Sequence, residues 1–190
     1  MERPSPFWQL ATTRLILRKL EPEDFDSLCR ILQDPEVMYA YEGPFSREEV
    51  QAWLDKMLTR YKQEGVALYA VCLKETGRMI GQCGLTMQNI PGSRVLEVGY
   101  LFEKAYWHRG YCREAAARCL TYAFEELGAR EVYAIHYPGQ QPSFSKRGPG
   151  SWHDTRDRFY QTLPGRRYAS YRIPPSKTLS IQQRPVCLSG

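Results

Sequence analysis

Glu97-Val-Gly-Tyr-Leu-Phe-Glu-Lys-Ala-Tyr-Trp-His-Arg-Gly-Tyr-Cys-Arg-Glu-Ala115 is the stretch that decides the fold. Leu96 to Phe102 reads as a strand. A short loop follows, and Gly110 opens a helix. Cys112, Ala116, Cys119, Leu120, Ala123 and Leu127 recur on one face of that helix, and Gly128 fits its C′ position. The first N–H groups of a helix have no intrahelical partner and sit at the positive end of its dipole. A glycine turn lets those groups wrap a phosphate. Arg109 and Arg113 flank the turn and add charge. The stretch therefore predicts a pyrophosphate seat at the end of a strand, with a phosphate-bearing cofactor as its ligand.

Working outward, Thr13 to Leu20 alternates as a first strand, and Pro22 stands where a helix begins, with Glu23 and Asp24 in its first turn. Phe25, Leu28, Cys29 and Leu32 give that helix an apolar face, and Asp34-Pro35 stops it. Ser46-Arg-Glu-Glu49 is a capping box. Val50, Trp53, Leu54, Met57, Leu58 and Tyr61 follow at helical spacing, and Gly65 ends the run. Ala67 to Leu73 and Met79 to Leu85 read as an antiparallel hairpin around Glu75-Thr-Gly77. Glu131 to Ile135 is a last strand. The expected order is β-α-α-β-β-β-α-β, a mixed α/β domain.

A length of 190 residues is enough for one domain with a real core. Apolar residues at 43% and charged residues at 25% are ordinary for a globular protein. No apolar run approaches the roughly 20 residues that span a bilayer. Met1 to Trp8 lacks the pattern of a secretory signal. A cytoplasmic location and no membrane partner are expected. The six cysteines include no C-x-x-C pair and no histidine at ligand spacing, so reduced thiols and no metal site are expected.

Here the residues resemble the GNAT superfamily of acetyl-CoA-dependent N-acetyltransferases, in particular the branch of ribosomal-protein N-terminal acetyltransferases. That branch has Thr-x-Arg-Leu-x-Leu-Arg, matched by Thr12 to Arg18, and Ile-Gly-x-x-Gly-Leu, matched by Ile80 to Leu85. It has Gly-Tyr followed by Trp-Gly-x-Gly-Tyr-Ala-x-Glu-Ala, matched by Gly99-Tyr100 and Trp107 to Ala115 at the same spacing. The resemblance covers about residues 12–135. It implies a GNAT-type fold: a mixed, mostly antiparallel sheet flanked by helices. It implies acetyl-CoA as co-substrate and an amine acceptor as partner. Backbone groups at Leu101 and Phe102 would hold the acetyl and pantetheine arm. Those of His108, Arg109, Gly110, Tyr111, Cys112 and Arg113 would hold the pyrophosphate. His108 replaces a usual glycine and is expected to crowd the loop. Cys112 replaces a usual small residue.

Acetyl transfer asks an amine to lose a proton, attack a thioester carbonyl and expel a thiolate. Protonated α-amines have pKa about 8 and lysine about 10, so a base is needed. Glu97 is the candidate, because it lies on the cofactor strand. Read without the resemblance, it is equally a surface strand residue. A strand N–H would meet the oxyanion. Tyr41 and Glu42, between the first two helices, are placed to line the acceptor site.

Composition changes near His136. Residues 1–135 hold 17 basic and 19 acidic side chains, and residues 136–190 hold nine basic, two acidic and seven of the thirteen prolines. The expected layout is a lead over 1–11, an incomplete acetyltransferase domain over 12–135, and a basic Pro/Gly/Arg-rich tail over 136–190. Where the family has Arg-Asp-x-Asn-x-x-Ser, the chain has His136-Tyr-Pro-Gly-Gln-Gln-Pro-Ser-Phe144. Read one nucleotide out of frame, Pro138 to Gln141 is compatible with Arg-Asp-Asn-Asn. Trp152, with its single codon, becomes glycine. The tail therefore reads as a non-native frame. The last helix and strands of the fold are expected to be missing or disordered, leaving a sheet edge exposed, stability marginal and activity in doubt. Two other readings stand beside the enzyme. One is a catalytically defective acetyl-CoA-binding remnant. The other is a nucleic-acid-binding module using the basic tail. Oligomeric state is not legible.

Overall fold

Side chains on β3 (Leu68–Leu73) alternate between two cores, and this places helices on both faces of the sheet. Tyr69 and Val71 face a cluster with Leu15, Leu17, Ile80, Cys83, Val98 and Phe102 under helix α3 (Tyr111–Thr121). Leu68, Ala70 and Cys72 face a cluster with Leu28, Ile31, Leu32, Val50, Leu54 and Met57 from helices α1 (Phe25–Leu32) and α2 (Arg47–Gln63). The computed structural model describes residues 9–39, 41, 43–90, 93–136, 158–163 and 166–173. The last two segments, and residues 90, 135 and 136, are described by backbone alone.

The remaining strands are β1 (Gln9–Ala11), β2 (Leu15–Arg18), β4 (Met79–Ile90), β5 (Ser93–Phe102), β6 (Val132–His136), β7 (Arg158–Leu163) and β8 (Arg166–Ile173). They form one sheet in the order β1-β2-β3-β4-β5-β6-β8-β7. Every neighbouring pair is antiparallel except β5 and β6, which run parallel. Among the described residues no helix is long and apolar enough to cross a membrane.

Local chemistry explains the helix ends. Pro22–Asp24 forms a 3-10 turn that leads into α1. Asp24 is buried because Arg18 grips both its oxygens, at 2.7 and 2.8 Å. Ser46 caps α2 by accepting from Glu49 N, while Glu49 reaches back to Ser46 N at 2.7 Å. Gly65 follows α2, and Gly128 follows the π-helical turn Tyr122–Glu126 that extends α3; they take left-handed φ of 75° and 67°.

Three features depart from the sequence reading. The expected lead over 1–11 ends in a strand, because Gln9–Ala11 pairs with β2. The central hairpin runs on past Leu85 to Ile90 and resumes at Ser93. Its outer half is polar, and cross-strand hydrogen bonds among Thr86, Gln88 and Glu97 sustain it. The third is a correction to the C-terminal strands expected to be missing or disordered. β8 pairs with β6 from Val132↔Ile173 to His136↔Ala169, and β7 pairs with β8. The edge of β6 is therefore covered. A ladder asks for backbone N–H and C=O groups and for β-prone residues, and Arg166–Ile173 supplies two tyrosines and no proline. Residues 137–157, where the last helix would fall, lie outside the described residues.

Candidate active site

β5 and β6 share a single register pair, Glu97↔Tyr133. The N–H of Glu103 donates to Ile80 O on β4 at 3.0 Å. Strand alternation then turns the backbone groups of Leu101 and Gly99 toward β4, and those of Tyr100 and Phe102 toward the side of β6. Of the two residues expected to hold the pantetheine arm, Phe102 presents its backbone there. Leu101 presents its backbone to the β4 ladder instead. The Phe102 carbonyl already accepts from Trp107 Nε1 at 2.9 Å, and its N–H points to the same side.

The loop after β5 is anchored at both ends. Glu103 is buried, and its two oxygens take Arg30 Nε and Arg78 Nη2, each at 3.0 Å. The 3-10 turn Lys104–Tyr106 follows, with Lys104 paired to Glu36. His108 then adopts φ 61°, and Gly110, the N-cap of α3, adopts φ 78°. A left-handed φ is nearly free for glycine and costs other residues about 1–2 kcal/mol. His108 is thus a strained residue at the position where the family pattern has glycine, although its side chain is exposed. Arg109 and Arg113 are exposed beside the turn, and Arg109 lies 5.7 Å from the Tyr106 ring centre. Tyr111 and Cys112 are half-buried in the first turn of α3. Burial pushes the Cys112 thiol well above its ordinary value, so it packs rather than reacts.

Glu114 turns away from solvent. Its Oε1 accepts from Thr12 Oγ1 at 2.6 Å and Arg14 N at 2.8 Å, and its Oε2 accepts from Arg14 Nε at 2.7 Å. Burial alone would raise its pKa. The hydrogen bonds from Thr12 and Arg14 and the Arg14 charge outweigh that and hold the carboxyl below its usual range.

Glu97 projects from β5 on the α1/α2 face, in register with Thr86. Its Oε2 accepts from Thr86 Oγ1 at 3.1 Å and Gln88 Nε2 at 2.8 Å. Four residues along β4 on the same face, Gln82 is fully buried, and its Oε1 accepts from Trp53 Nε1 at 3.0 Å. The Gln82 Nε2 donor has no partner among the described residues. Trp53 completes an edge-to-face trio with Tyr41 and Phe45, ring centres 5.9–6.4 Å apart. Tyr41 therefore stands over the same face as Glu97, and Glu42 lies outside the described residues. Among the described residues no group of three or more His, Cys, Asp or Glu side chains could hold a metal ion.

Sequence reasoning did not assign Thr12, Arg14 and Glu114 to the site, although both motifs that contain them stood out. It also passed over Gln82 and Trp53. A buried glutamine inside an apolar strand was the available signal.

A family model described as an acetyltransferase (GNAT) domain matches residues 14–145. The uncharacterized protein YkkB of Bacillus subtilis is 36% identical over 136 residues, covering 71% of this chain and 79% of that protein. The uncharacterized N-acetyltransferase p20 of Bacillus licheniformis is 35% identical over 136 residues, covering 70% and 76%. The crystal structure of a GNAT-family acetyltransferase from Bacillus anthracis superposes with a TM-score of 0.68 at 23% identity, covering 89% of this chain and 99% of that one, and shares the fold. With a strand leading into a glycine-turned helix start, and with sequence relatives across most of its length, this chain belongs to the GNAT acetyltransferase family and is an acyltransferase whose co-substrate is acetyl-CoA.

Proposed function

We propose that the chain moves the acetyl group of acetyl-CoA to a primary amine, either a protein N-terminus or a small-molecule amine, presented on the α1/α2 face of β4 and β5. The observation that carries this reading is the stretch of β5 from Glu97, whose pairing with Tyr133 is the one β5–β6 register pair, to Phe102, which leads into the His108–Arg113 loop. That stretch is about 17 Å long at a strand rise of about 3.4 Å per residue, a length suited to an extended pantetheine arm. With pyrophosphate at the loop, the thioester lies toward the other end, near Glu97.

Each residue then has a task. Backbone N–H groups from His108 to Arg113 and the charges of Arg109 and Arg113 receive the pyrophosphate. The N–H of Phe102 faces the arm, and a β5 backbone N–H nearer Glu97 meets the oxyanion as the amine attacks. Glu97 takes the amine proton, directly or through one water, with its carboxylate aimed by Thr86 and Gln88. Tyr41, Phe45 and Trp53 wall the acceptor entrance, and Gln82 Nε2, without a partner among the described residues, is a donor for an acceptor carbonyl or hydroxyl.

The test is product formation by the 190-residue chain with acetyl-CoA and a panel of amines: peptides with free and blocked N-termini, amino acids and polyamines. Acetylated product by mass is expected for one class. Glu97→Gln should lower kcat by at least about 100-fold while leaving acetyl-CoA binding intact. One fact favours a second reading, a binder without turnover: the family match ends at residue 145, and the chain runs to 190. Acetyl-CoA binding with no product from any amine would select it.

A further inference from the structure

We infer that Arg14 and Glu114 are positioning residues for cofactor binding, a latch from the β1–β2 turn that sets the peptide planes of the phosphate-facing loop. This rests on the reading of His108–Arg113 as the pyrophosphate seat.

One guanidinium meets four residues in and beside that seat. Arg14 Nη1 donates to Arg109 O at 3.1 Å. Its Nη2 lies 3.4 Å from where a Cβ on Gly110 would stand. Its guanidinium carbon sits 4.3 Å over the centre of the Tyr111 ring. Its Nε pairs with Glu114 Oε2 at 2.7 Å. Thr12 completes the cradle from the other side of the same turn. Lys74 in turn bonds Thr12 O, which ties the turn to the end of β3.

The contact with Arg109 O matters most. In a trans peptide the C=O of one residue and the N–H of the next point in opposite directions, and the chain holds no cis bond among the described residues. Arg14 on the Arg109 carbonyl therefore directs the Gly110 N–H away from Arg14, across the loop. Gly110, on one side of this peptide, would otherwise leave it easy to rotate.

Arg14 adds no charge where the anion sits in this scheme, and that separates it from Arg109 and Arg113. The experiment is titration calorimetry of coenzyme A and of pantetheine, which lacks the pyrophosphate, into the wild-type chain, R14A, R14K and E114Q at two salt concentrations. Loss of a charge-assisted hydrogen bond predicts about a tenfold rise in Kd for coenzyme A with R14A. Pantetheine binding should be unchanged, and the ratio should be the same at both salts. R14K keeps the charge without the fork that spans carboxylate and carbonyl, so it should recover only part of the affinity. E114Q, which keeps the side-chain shape and is the milder change to folding, should weaken coenzyme A alone. Equal weakening of both ligands, or of neither, overturns the latch. A loss that shrinks with added salt also overturns it, by making Arg14 a direct phosphate contact. A wild-type chain that binds no coenzyme A overturns the seat itself.

Discussion

His108 holds φ 61° one turn ahead of α3, and its replacement by glycine tests whether that strain is real. The left-handed conformation costs a non-glycine residue about 1–2 kcal/mol. Glycine removes that cost and loses about 0.5–1 kcal/mol to the extra freedom of its unfolded chain. Alanine keeps the strain and has no such entropy loss. H108G should therefore be more stable than H108A by about 0.5–1 kcal/mol, the reverse of the order at an ordinary position, where glycine is the worse residue. In a chain of this size that is a Tm difference of about 2 °C. Because the His108 side chain is exposed, its truncation removes little packing, and the two variants isolate the backbone. Equilibrium denaturation in urea, with m-values compared, is the assay. H108A equal to or more stable than H108G would refute the reasoning.

Other outcomes follow from the same geometry. A Cβ on Gly84 would stand 2.2 Å from Ala67 O and 2.7 Å from Leu68 Cα, both backbone atoms that cannot swing aside. Gly84→Ala should cost about 3 kcal/mol or more in a denaturation experiment, and a loss under 1 kcal/mol would contradict the close β3–β4 approach. Glu114 is held below its usual pKa, so its stabilisation is complete above the unfolded value of about 4.3 and fades as pH falls through the lower folded value. The wild type should exceed E114Q by about 2 kcal/mol at pH 7, with the gap closing only below about pH 4; a pH-independent gap would contradict it. Sequencing the source gene across the codons for Ala134 to Gln141 should reveal one base too many or too few. An intact native frame would refute the reading of the tail.

Legibility in the sequence followed range. The capping box at Ser46, the glycine after each long helix and the Gly110 turn are encoded within a few residues, and the structure has them where periodicity placed them. The outer half of the β4–β5 hairpin was not legible, because Gln88 and Asn89 break the apolar pattern and the ladder there is held by cross-strand polar pairs. The latch was not legible for a related reason. Arg14 and Glu114 are 100 residues apart, and either alone reads as a solvated charge. Which backbone atoms of β5 face away from β4 also needed the ladder, since the parity that turns Leu101 toward β4 is read from Glu103 bonding Ile80. Strands β7 and β8 lie in a segment whose basic, proline-rich composition masks two short proline-free runs.

Amide hydrogen exchange of the 190-residue chain with and without acetyl-CoA tests the seating of the co-substrate most directly. Slower exchange is predicted at Phe102 and the amides from His108 to Arg113, with Leu101 already slow in the free chain through its β4 ladder. Protection absent from the loop, or confined to residues 136–190, would contradict it.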